Sequence, residues 1–322
     1  MAADLTDEQF QAWVFQELER VEAKLYQAAQ AQSDFVAEAA RYLVDSGGKR
    51  FRPALTIAVG GLGSADGDAL EDSAVVVELT HVASLYHDDV MDEAALRRGR
   101  PSANARWGNS VAIMVGDFLL AQASVIGASL GLDFVAYQGR TLARLVQGQI
   151  GELRGPGEAE AVDHHLSVVT DKTGSLIAAS ARYGAMAAGL APAETDTLTE
   201  FGEQVGVVFQ LADDLIDIVS DSAGKPGGLD LREGVLTLAP LLVLRDARAQ
   251  DQRLVELLSA PVAEADLAET LALLRVHPAV DEVRAIIETR VEAAKQLLVD
   301  LPDSAAKRAL LLLADQAVHR TA

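Results

Sequence analysis

The sequence contains no cysteine, which excludes disulfide bonds, thiolate nucleophiles and zinc sites with sulfur ligands. Aromatic residues make up only 5% of the 322 residues, whereas alanine, leucine and valine are abundant. Because strands rely on aromatic and β-branched residues, this balance favours helices. With 50% hydrophobic residues the chain still has enough apolar material for a large core.

Positive charge is also scarce. The 27 lysine and arginine residues face 48 aspartate and glutamate residues, which gives a formal net charge of -21. A surface of this sign repels phosphate backbones, so we expect no nucleic-acid partner. An acidic chain can still bind anions where its few cations converge, or where carboxylates recruit divalent metal ions.

Long apolar runs are missing too. A helix needs roughly 20 apolar residues to cross a bilayer, and the longest candidate, residues 111–137, is interrupted by Asp117, Gln122 and Asp133. The N-terminal segment is acidic and lacks the basic-then-apolar layout of a signal peptide. We therefore expect no transmembrane segment and a cytoplasmic protein.

Apolar residues recur at helical spacings along most of the chain, and no alternating stretch is long enough to predict a strand. A long helix is predicted to begin near residue 67, with a buried stripe of Val75, Val76, Leu79, Val82, Ala83 and Tyr86. Before it, helices are predicted over 5–44 and, after the break at 45–53, in a short stretch that ends at about residue 59. After it, helices are predicted over 109–130, 134–153, 162–190, 196–220, 234–247, 265–275 and 279–299. Short connections without a polar linker predict one all-helical domain over residues 1–322.

Three carboxylates stand at the end of the long predicted helix: Asp88, Asp89 and Asp92. Asp88 and Asp92 are four residues apart, so they share a helix face about 6 Å apart along the axis. Carboxylates this close repel one another unless a cation lies between them, and Mg²⁺ with oxygen ligands meets that need. The alternative is a solvated acidic helix end, although acids there oppose the helix dipole.

The same spacing recurs in Asp213, Asp214 and Asp217, inside the strongly apolar segment 205–219. The apolar neighbours leave little room for a wholly solvent-facing surface. Two matching triplets on separate buried helices predict two walls of one metal-filled cavity.

The few cations lie beside chain breaks and carboxylates. The glycine-rich segment 47–53 contains Lys49, Arg50 and Arg52, and Arg97 and Arg98 follow the first carboxylate triplet. Lys172 and Lys225 each precede a glycine closely. Each group alone is compatible with a basic surface patch. Together, in so acidic a chain, they indicate binding sites for a diphosphate, which arginine contacts in a bidentate manner and glycine-rich turns contact through backbone N–H groups.

In these segments the chain resembles the all-trans prenyl diphosphate synthases. The matching segments occur in the family's order between about residues 40 and 245; they are GGKRFRP, HDDVMDEAALRRGRPSAN, GDFLLAQA, DKTGSLIAASARYGA and FQLADDLIDIVSDSAGKPGGLDLREGVLTLAPLL. The resemblance implies an all-α isoprenoid-synthase bundle around a deep central cavity, usually in a homodimer. It also implies Mg²⁺, roughly three ions per active site, on both aspartate-rich motifs.

The resemblance assigns roles residue by residue. The implied principal metal ligands are Asp88, Asp92 and Asp213, with Asp89, Asp214 and Asp217 in support. The implied contacts of the allylic diphosphate are Arg97, Lys172 and Lys225, and those of isopentenyl diphosphate are Lys49, Arg52, His81 and Arg98. Thr173 and Gln210 would direct oxygen atoms at the allylic cation. His164 and His165 match no motif and are predicted to be surface residues.

One position departs from the family pattern. Glu233 stands where many short-chain relatives carry a lysine, so diphosphate contacts there are expected to rest on Lys225 and Arg232. Gly224, Gly227 and Gly228 flank Lys225 and predict a loop that closes over substrate.

The implied activity is a prenyltransferase that joins isopentenyl diphosphate to an allylic diphosphate. Ala83 and Ser84, one turn before Asp88, are small where short-chain relatives often have aromatic residues. This predicts a tunnel that continues past them and a long-chain all-trans polyprenyl diphosphate, unless Met114 or Phe118 caps it. Geranylgeranyl diphosphate synthase is the alternative. A class I terpene cyclase usually replaces the second aspartate motif, and a non-catalytic subunit of a heteromeric synthase would be expected to lose site residues.

Overall fold

The computed structural model describes residues 5–64, 67–220 and 227–318. These residues form sixteen α-helices, a π-helical turn at Thr170–Gly174, a 3₁₀ turn at Ala249–Asp251 and one pair of two-residue strands. The all-α prediction is confirmed. The prediction of one domain over 1–322 stays a prediction.

The first seven helices and both strands lie before residue 155. They are α1 Asp7–Ala28, α2 Asp34–Asp45, α3 Phe51–Gly60, α4 Gly67–Met91, β1 Leu96–Arg97, β2 Arg100–Pro101, α5 Ala103–Trp107, α6 Asn109–Leu130 and α7 Leu132–Arg154. The helices that follow are α8 Ala161–Val169, α9 Ser175–Ala187, α10 Pro192–Val219, α11 Leu229–Glu233, α12 Leu238–Arg245, α13 Gln252–Leu258, α14 Glu264–Arg275, α15 Pro278–Leu297 and α16 Ala305–Val318.

The chain divides into two compact units. The first comprises Met1–Ala143, Leu176–Gly202 and Asp300–Leu310, and the second comprises Arg144–Ser175, Glu203–Val299 and Leu311–Ala322.

Helix α4 is the centre of the first unit, where it packs against α1, α3 and α6. Its predicted apolar stripe is confirmed, since none of Val75, Val76, Leu79, Val82, Ala83 and Tyr86 is more than 1% exposed. The Tyr86 hydroxyl donates a hydrogen bond to the Ala39 carbonyl at 2.5 Å, which links α4 to α2. The C-terminal turn of α4 is therefore held firmly, and it carries the first carboxylates.

Among the described residues, α6 is the one helix that is long and apolar enough to cross a membrane by length and composition. It packs along α4, α5 and α2 of the same unit. One helix of this kind is weak evidence for a membrane span, because core helices of soluble proteins can be equally long and apolar.

In the second unit, α12 packs against α8 and α15, and α14 packs against α11, α13 and α15. The predicted helix 162–190 is interrupted by the π-helical turn. The predicted helix 234–247 begins only at Leu238, because Gly234 has a φ of 77° and ends α11. The first predicted helix, 5–44, is two helices that break after Ala28.

Candidate active site

The three carboxylates at the end of α4 have different surroundings. Asp89 is completely buried, Asp88 is half-buried and Asp92 is exposed. The helix ends at Met91, and the backbone N–H of Asp92 donates to the Asp88 carbonyl at 2.8 Å. Asp88 and Asp92 are thus held on one continuous turn, as their spacing predicted.

Asp89 is engaged by an arginine of the same unit. The Arg97 guanidinium contacts Asp89 Oδ1 from Nε at 2.7 Å and from Nη2 at 2.6 Å. The second oxygen, Oδ2, is buried and has no hydrogen-bond partner in the part of the chain that the structure describes. Burial raises the pKa of Asp89, the Arg97 charge opposes that shift, and Asp92 adds to it.

Arg97 and Arg98 belong to a small hairpin that the sequence analysis missed. Strands β1 and β2 pair antiparallel, with Arg97 opposite Arg100. The two turn residues between them, Arg98 and Gly99, have φ values of 53° and 75°. A two-residue hairpin turn with both φ values positive matches the twist of the strands. Strands of two residues are too short to leave an alternating pattern.

The first unit also brings together three of the residues predicted to bind isopentenyl diphosphate. Burial lowers the pKa of His81 well below its usual value, and the charges of Arg52 and Arg98 lower it further. His81 is therefore neutral at physiological pH and lies close to both guanidinium groups. The Nε of Arg52 is buried and has no hydrogen-bond partner within the described ranges, and Lys49 is exposed on the same turn.

Gly48 explains how Arg98 can lie against the turn before α3. A methyl group on Gly48 would stand 3.1 Å from Arg98 Nη2 and 3.3 Å from Nη1. Arg98 Nη1 also donates to Ser46 Oγ at 3.3 Å. The absence of a side chain at Gly48 thus lets the hairpin guanidinium approach the segment that carries Lys49.

In the second unit, the carboxylates of α10 belong to a chain of polar contacts. Thr173 Oγ1 donates to Gln210 Oε1 at 3.0 Å, and Gln210 Nε2 donates to Asp214 Oδ1 at 2.8 Å. These two bonds fix the orientation of the Gln210 amide. Asp214 is buried, whereas Asp213 and Asp217 are half-buried.

His165 continues this chain, so its prediction as a surface residue is wrong. Its side chain is 14% exposed, and its Nε2 lies 3.6 Å from Asp214 Oδ2. His164 is half-buried as well, with Nε2 3.1 Å from the Gly151 carbonyl. The sequence offered no signal for these contacts, because they depend on how α8 meets α7 and α10.

The π-helical turn presents Lys172 and Thr173. It can pack closely on α7 because Gly148 faces it; a methyl group there would be 2.6 Å from the backbone nitrogen of Lys172. The Lys172 ammonium forms an ion pair with Glu152 of α7. A π-helical turn inside a helical segment is frequently found at functional sites.

Acidic side chains are concentrated around the second triplet. Burial raises the pKa of Asp230 to about 7, and the charges of Asp214, Asp217, Glu233 and Glu152 raise it too. The Asp230 N–H donates to Asp217 Oδ2 at 3.3 Å. The Nε of Arg232 lies 3.3 Å from the Glu264 carboxylate, and its Nη2 donates to the Gly227 carbonyl at 3.3 Å. Glu233 is exposed. Lys225 and Gly224 lie outside the described residues.

These carboxylates fit a hard divalent cation. All the donors are oxygens, and four other carboxylates add to the effect of burial in raising the pKa of Asp230, so acidic groups are concentrated in this region. Within the described ranges no three aspartate, glutamate or histidine side chains already converge on one metal position. Mg²⁺ suits such an arrangement, since it usually takes one or two carboxylates and completes its shell with water and phosphate oxygens.

The chain matches known proteins along nearly its whole length. The family model described as polyprenyl synthetase matches residues 33–274. A nonaprenyl diphosphate synthase of Mycobacterium tuberculosis is 42% identical over 98% of this chain and 96% of its own length.

Solved structures are also similar to this chain along nearly its whole length. A geranylgeranyl pyrophosphate synthase from Corynebacterium glutamicum, complexed with calcium and isoprenyl diphosphate, has a TM-score of 0.89 and 39% identity, covering 97% of this chain and 98% of that one. A decaprenyl diphosphate synthase from Rhodobacter capsulatus has a TM-score of 0.90 and 28% identity, covering 98% and 100%. With its all-helical isoprenoid-synthase fold, the chain belongs to the polyprenyl synthetase family, the all-trans prenyl diphosphate synthases.

Proposed function

We propose that this protein is a Mg²⁺-dependent trans-prenyltransferase that joins isopentenyl diphosphate to an allylic diphosphate and makes a long-chain all-trans polyprenyl diphosphate. The observation that carries the proposal is the cationic group of the first unit, where Arg98 lies against the segment that carries Lys49, with Nη1 3.3 Å from Ser46 Oγ, and where Arg52 and Arg98 both lower the pKa of His81. A terpene cyclase has no isopentenyl diphosphate to bind, so it has no use for this group. Family membership and the retained carboxylates support the same activity.

Isopentenyl diphosphate is bound by the cationic group of the first unit. Lys49, Arg52 and Arg98 supply positive charge, and arginine forms bidentate contacts with phosphate. Neutral His81 adds one N–H donor without adding charge. The Nε of Arg52 is buried and has no hydrogen-bond partner among the described residues, so its N–H is a donor that the protein itself does not use there.

We assign contacts of the allylic diphosphate and its metal ions within each unit separately. In the first unit they are Arg97 and the carboxylates Asp88, Asp89 and Asp92. In the second unit they are Lys172 and the carboxylates Asp213, Asp214 and Asp217, and Lys225, outside the described residues, is assigned from its sequence motif. Mg²⁺ held by these carboxylates would stabilise the negative charge that develops on the leaving diphosphate. Thr173 and Gln210 would direct oxygen atoms at the allylic cation, and Gln210 Oε1 has a second lone pair for this role besides the one that accepts from Thr173.

The proposed reaction needs no nucleophile from the protein. The allylic C–O bond breaks, the double bond of isopentenyl diphosphate forms the new C–C bond, and a proton leaves the resulting cation. The departing diphosphate is a suitable base for that proton. Exclusion of water by the apolar surroundings protects the cation from hydrolysis.

The proposal of a long-chain product rests on Ala83 and Ser84. Both side chains are small, so neither position carries a bulky stop; Ala83 is completely buried, and the Ser84 hydroxyl donates back to the His81 carbonyl at 2.9 Å. The nonaprenyl and decaprenyl names of two relatives agree with this length. The name of the Corynebacterium relative keeps geranylgeranyl diphosphate as the alternative product.

We also propose that the enzyme is a cytoplasmic homodimer. Helix α6 exposes a stripe of small and apolar side chains, among them Ile113, Met114 and Val125, of which Met114 and Val125 are each 68% exposed. A second copy is the occupant we propose, because isologous pairing buries the same stripe on both chains.

A product assay tests the activity. The purified protein is incubated with labelled isopentenyl diphosphate, Mg²⁺ and a series of allylic primers, and the chain length of the products is measured. We expect elongation to long polyprenyl diphosphates. Geranylgeranyl diphosphate as the end product would support the alternative. Cyclic hydrocarbons formed without isopentenyl diphosphate would indicate a cyclase, and no activity without a second protein would indicate a subunit.

A further inference from the structure

Arg50 is the cation of segment 47–53 that substrate binding does not use. Its side chain is 8% exposed, and Nε and Nη2 both contact the Glu22 carboxylate. Nη1 donates to Glu78 Oε1 at 2.8 Å, and Nη2 also donates to the Val44 carbonyl at 2.9 Å. With each of its three nitrogens engaged inside the protein, Arg50 is in no position to bind a substrate.

The backbone of Arg50 has an unusual conformation. Arg50 immediately precedes α3 with φ 45° and ψ 37°, the left-handed conformation that non-glycine residues seldom adopt. Lys49, the preceding residue, is exposed, whereas Arg50 is buried. Conformations of this kind persist where surrounding contacts compensate for them, and they cluster at functional sites.

Glu78 is the buried partner, with a side chain only 4% exposed. It lies three residues before His81 on α4, so the two side chains are neighbours on the helix surface. Its negative charge raises the pKa of Arg52 and of Arg98, against the larger lowering by burial. Glu78 is therefore close enough to attract both guanidinium groups that we assign to isopentenyl diphosphate.

A buried carboxylate without a counter-charge is costly and takes the nearest cation. In this unit the charge of Glu78 also acts on Arg52 and Arg98, whose pKa values it raises, so these two arginines are the alternatives to Arg50. If either turned to Glu78, it would be lost to the substrate.

We propose that Arg50 is a positioning residue that neutralises Glu78 and thereby keeps Arg52 and Arg98 available for the diphosphate of isopentenyl diphosphate. This inference rests on the proposed function. It differs from a purely structural ion pair, which would stabilise the unit without affecting one substrate more than the other.

The experiment compares R50M, E78Q and the double variant R50M/E78Q, with E22Q as the matched control. E22Q removes the charge of the partly exposed partner, whose side chain is 46% exposed, and leaves Glu78 neutralised. For each protein we measure kcat, the KM of both substrates, Tm, and the calorimetric affinity for isopentenyl diphosphate alone.

R50M is expected to raise the KM for isopentenyl diphosphate about tenfold, the effect of losing one charge-assisted phosphate contact. The KM for the allylic substrate should change by less than about twofold. The double variant should recover most of the isopentenyl diphosphate affinity, because the neutral amide introduced by E78Q no longer attracts Arg52 or Arg98. E22Q should change neither KM by more than about twofold.

Two results would overturn the inference: a double variant as impaired as R50M, or an equal rise in both KM values. If R50M does not fold, the E78Q variant alone tests the inference. Its glutamine carbonyl can still accept the hydrogen bond from Arg50, so the fold is expected to be kept. E78Q should leave the KM for isopentenyl diphosphate unchanged or lower, and a rise of about fivefold or more would contradict the neutralising role. A wild-type protein that neither binds nor condenses isopentenyl diphosphate would instead refute the proposed function.

Discussion

Arg97 contacts a single carboxylate oxygen of Asp89 through two nitrogens, Nε at 2.7 Å and Nη2 at 2.6 Å. Asp89 is completely buried, while Asp88 and Asp92, its partners in the first triplet, are more accessible. The three acids therefore have different surroundings, although their spacing in the sequence makes them look equivalent. This difference directs the first mutations to Asp88 and to the half-buried Asp213 of the second triplet.

We predict that Asp88→Ala and Asp213→Ala each lower kcat at least about a hundredfold at saturating Mg²⁺, while circular dichroism and Tm stay close to wild type. Each change removes an oxygen ligand that neighbouring carboxylates cannot replace in the same geometry. Glu158→Ala, at an exposed acid, is the control and should be fully active. Near-normal turnover of either aspartate variant would refute its role as a metal ligand.

The cationic segment before α3 should act on one substrate. Lys49→Ala and Arg52→Ala are each expected to raise the KM for isopentenyl diphosphate about tenfold or more, and that for the allylic primer much less. Initial-rate kinetics with each substrate varied in turn measures both constants. Equal effects on the two substrates would argue against separate diphosphate sites.

Gly148→Ala tests the π-helical turn. The new methyl group would lie 2.6 Å from the backbone nitrogen of Lys172 and 3.0 Å from the Asp171 carbonyl carbon, atoms that cannot move independently of the turn. We expect a loss of about 1–3 kcal/mol in the free energy of unfolding and a fall in kcat as Lys172 and Thr173 shift.

The control for Gly148 is Gly139→Ala on the same helix, where a methyl group meets nothing within 4 Å. It should stabilise the helix by about 0.5–1 kcal/mol. Thermal unfolding and single-turnover rates of the two variants give the comparison, and a harmless Gly148→Ala would mean that the turn is not closely packed.

Product length should respond to the side chain at residue 83. Ala83→Val, Ala83→Leu and Ala83→Phe are expected to shorten the main product progressively while condensation continues, since a larger side chain blocks a tail that passes α4 here. Reversed-phase chromatography of the dephosphorylated products shows the distribution. An unchanged distribution in an active Ala83→Phe enzyme would mean that the tail takes another path.

The exposed stripe of α6 should hold two copies together. Val125→Glu places a charge in the proposed interface and is expected to give monomers by light scattering at micromolar concentration. Val276→Glu, at a valine that is 81% exposed in the second unit, is the matched control and should stay dimeric. A monomeric wild-type protein, or a dimeric Val125→Glu, would contradict this interface.

The sequence by itself determined the helices and the spacing of the carboxylates. Helical periodicity and the four-residue separations of Asp88 from Asp92 and of Asp213 from Asp217 are properties of near neighbours, so they can be read without a fold. The buried stripe of α4 was predictable for the same reason. The predicted helix 162–190 hid the π-helical turn, because a π turn keeps the chain helical on both sides.

Tertiary structure alone decided which polar groups meet. Glu22, Arg50 and Glu78 are far apart in the chain, as are His165 and Asp214, and their contacts depend on how separate helices pack. Lys49, Arg50 and Arg52 look alike in sequence, yet the left-handed backbone at Arg50 accompanies a buried side chain between two exposed or half-exposed cations. Local periodicity encodes faces, whereas burial and the choice of partner depend on long-range packing, which single-sequence patterns do not contain.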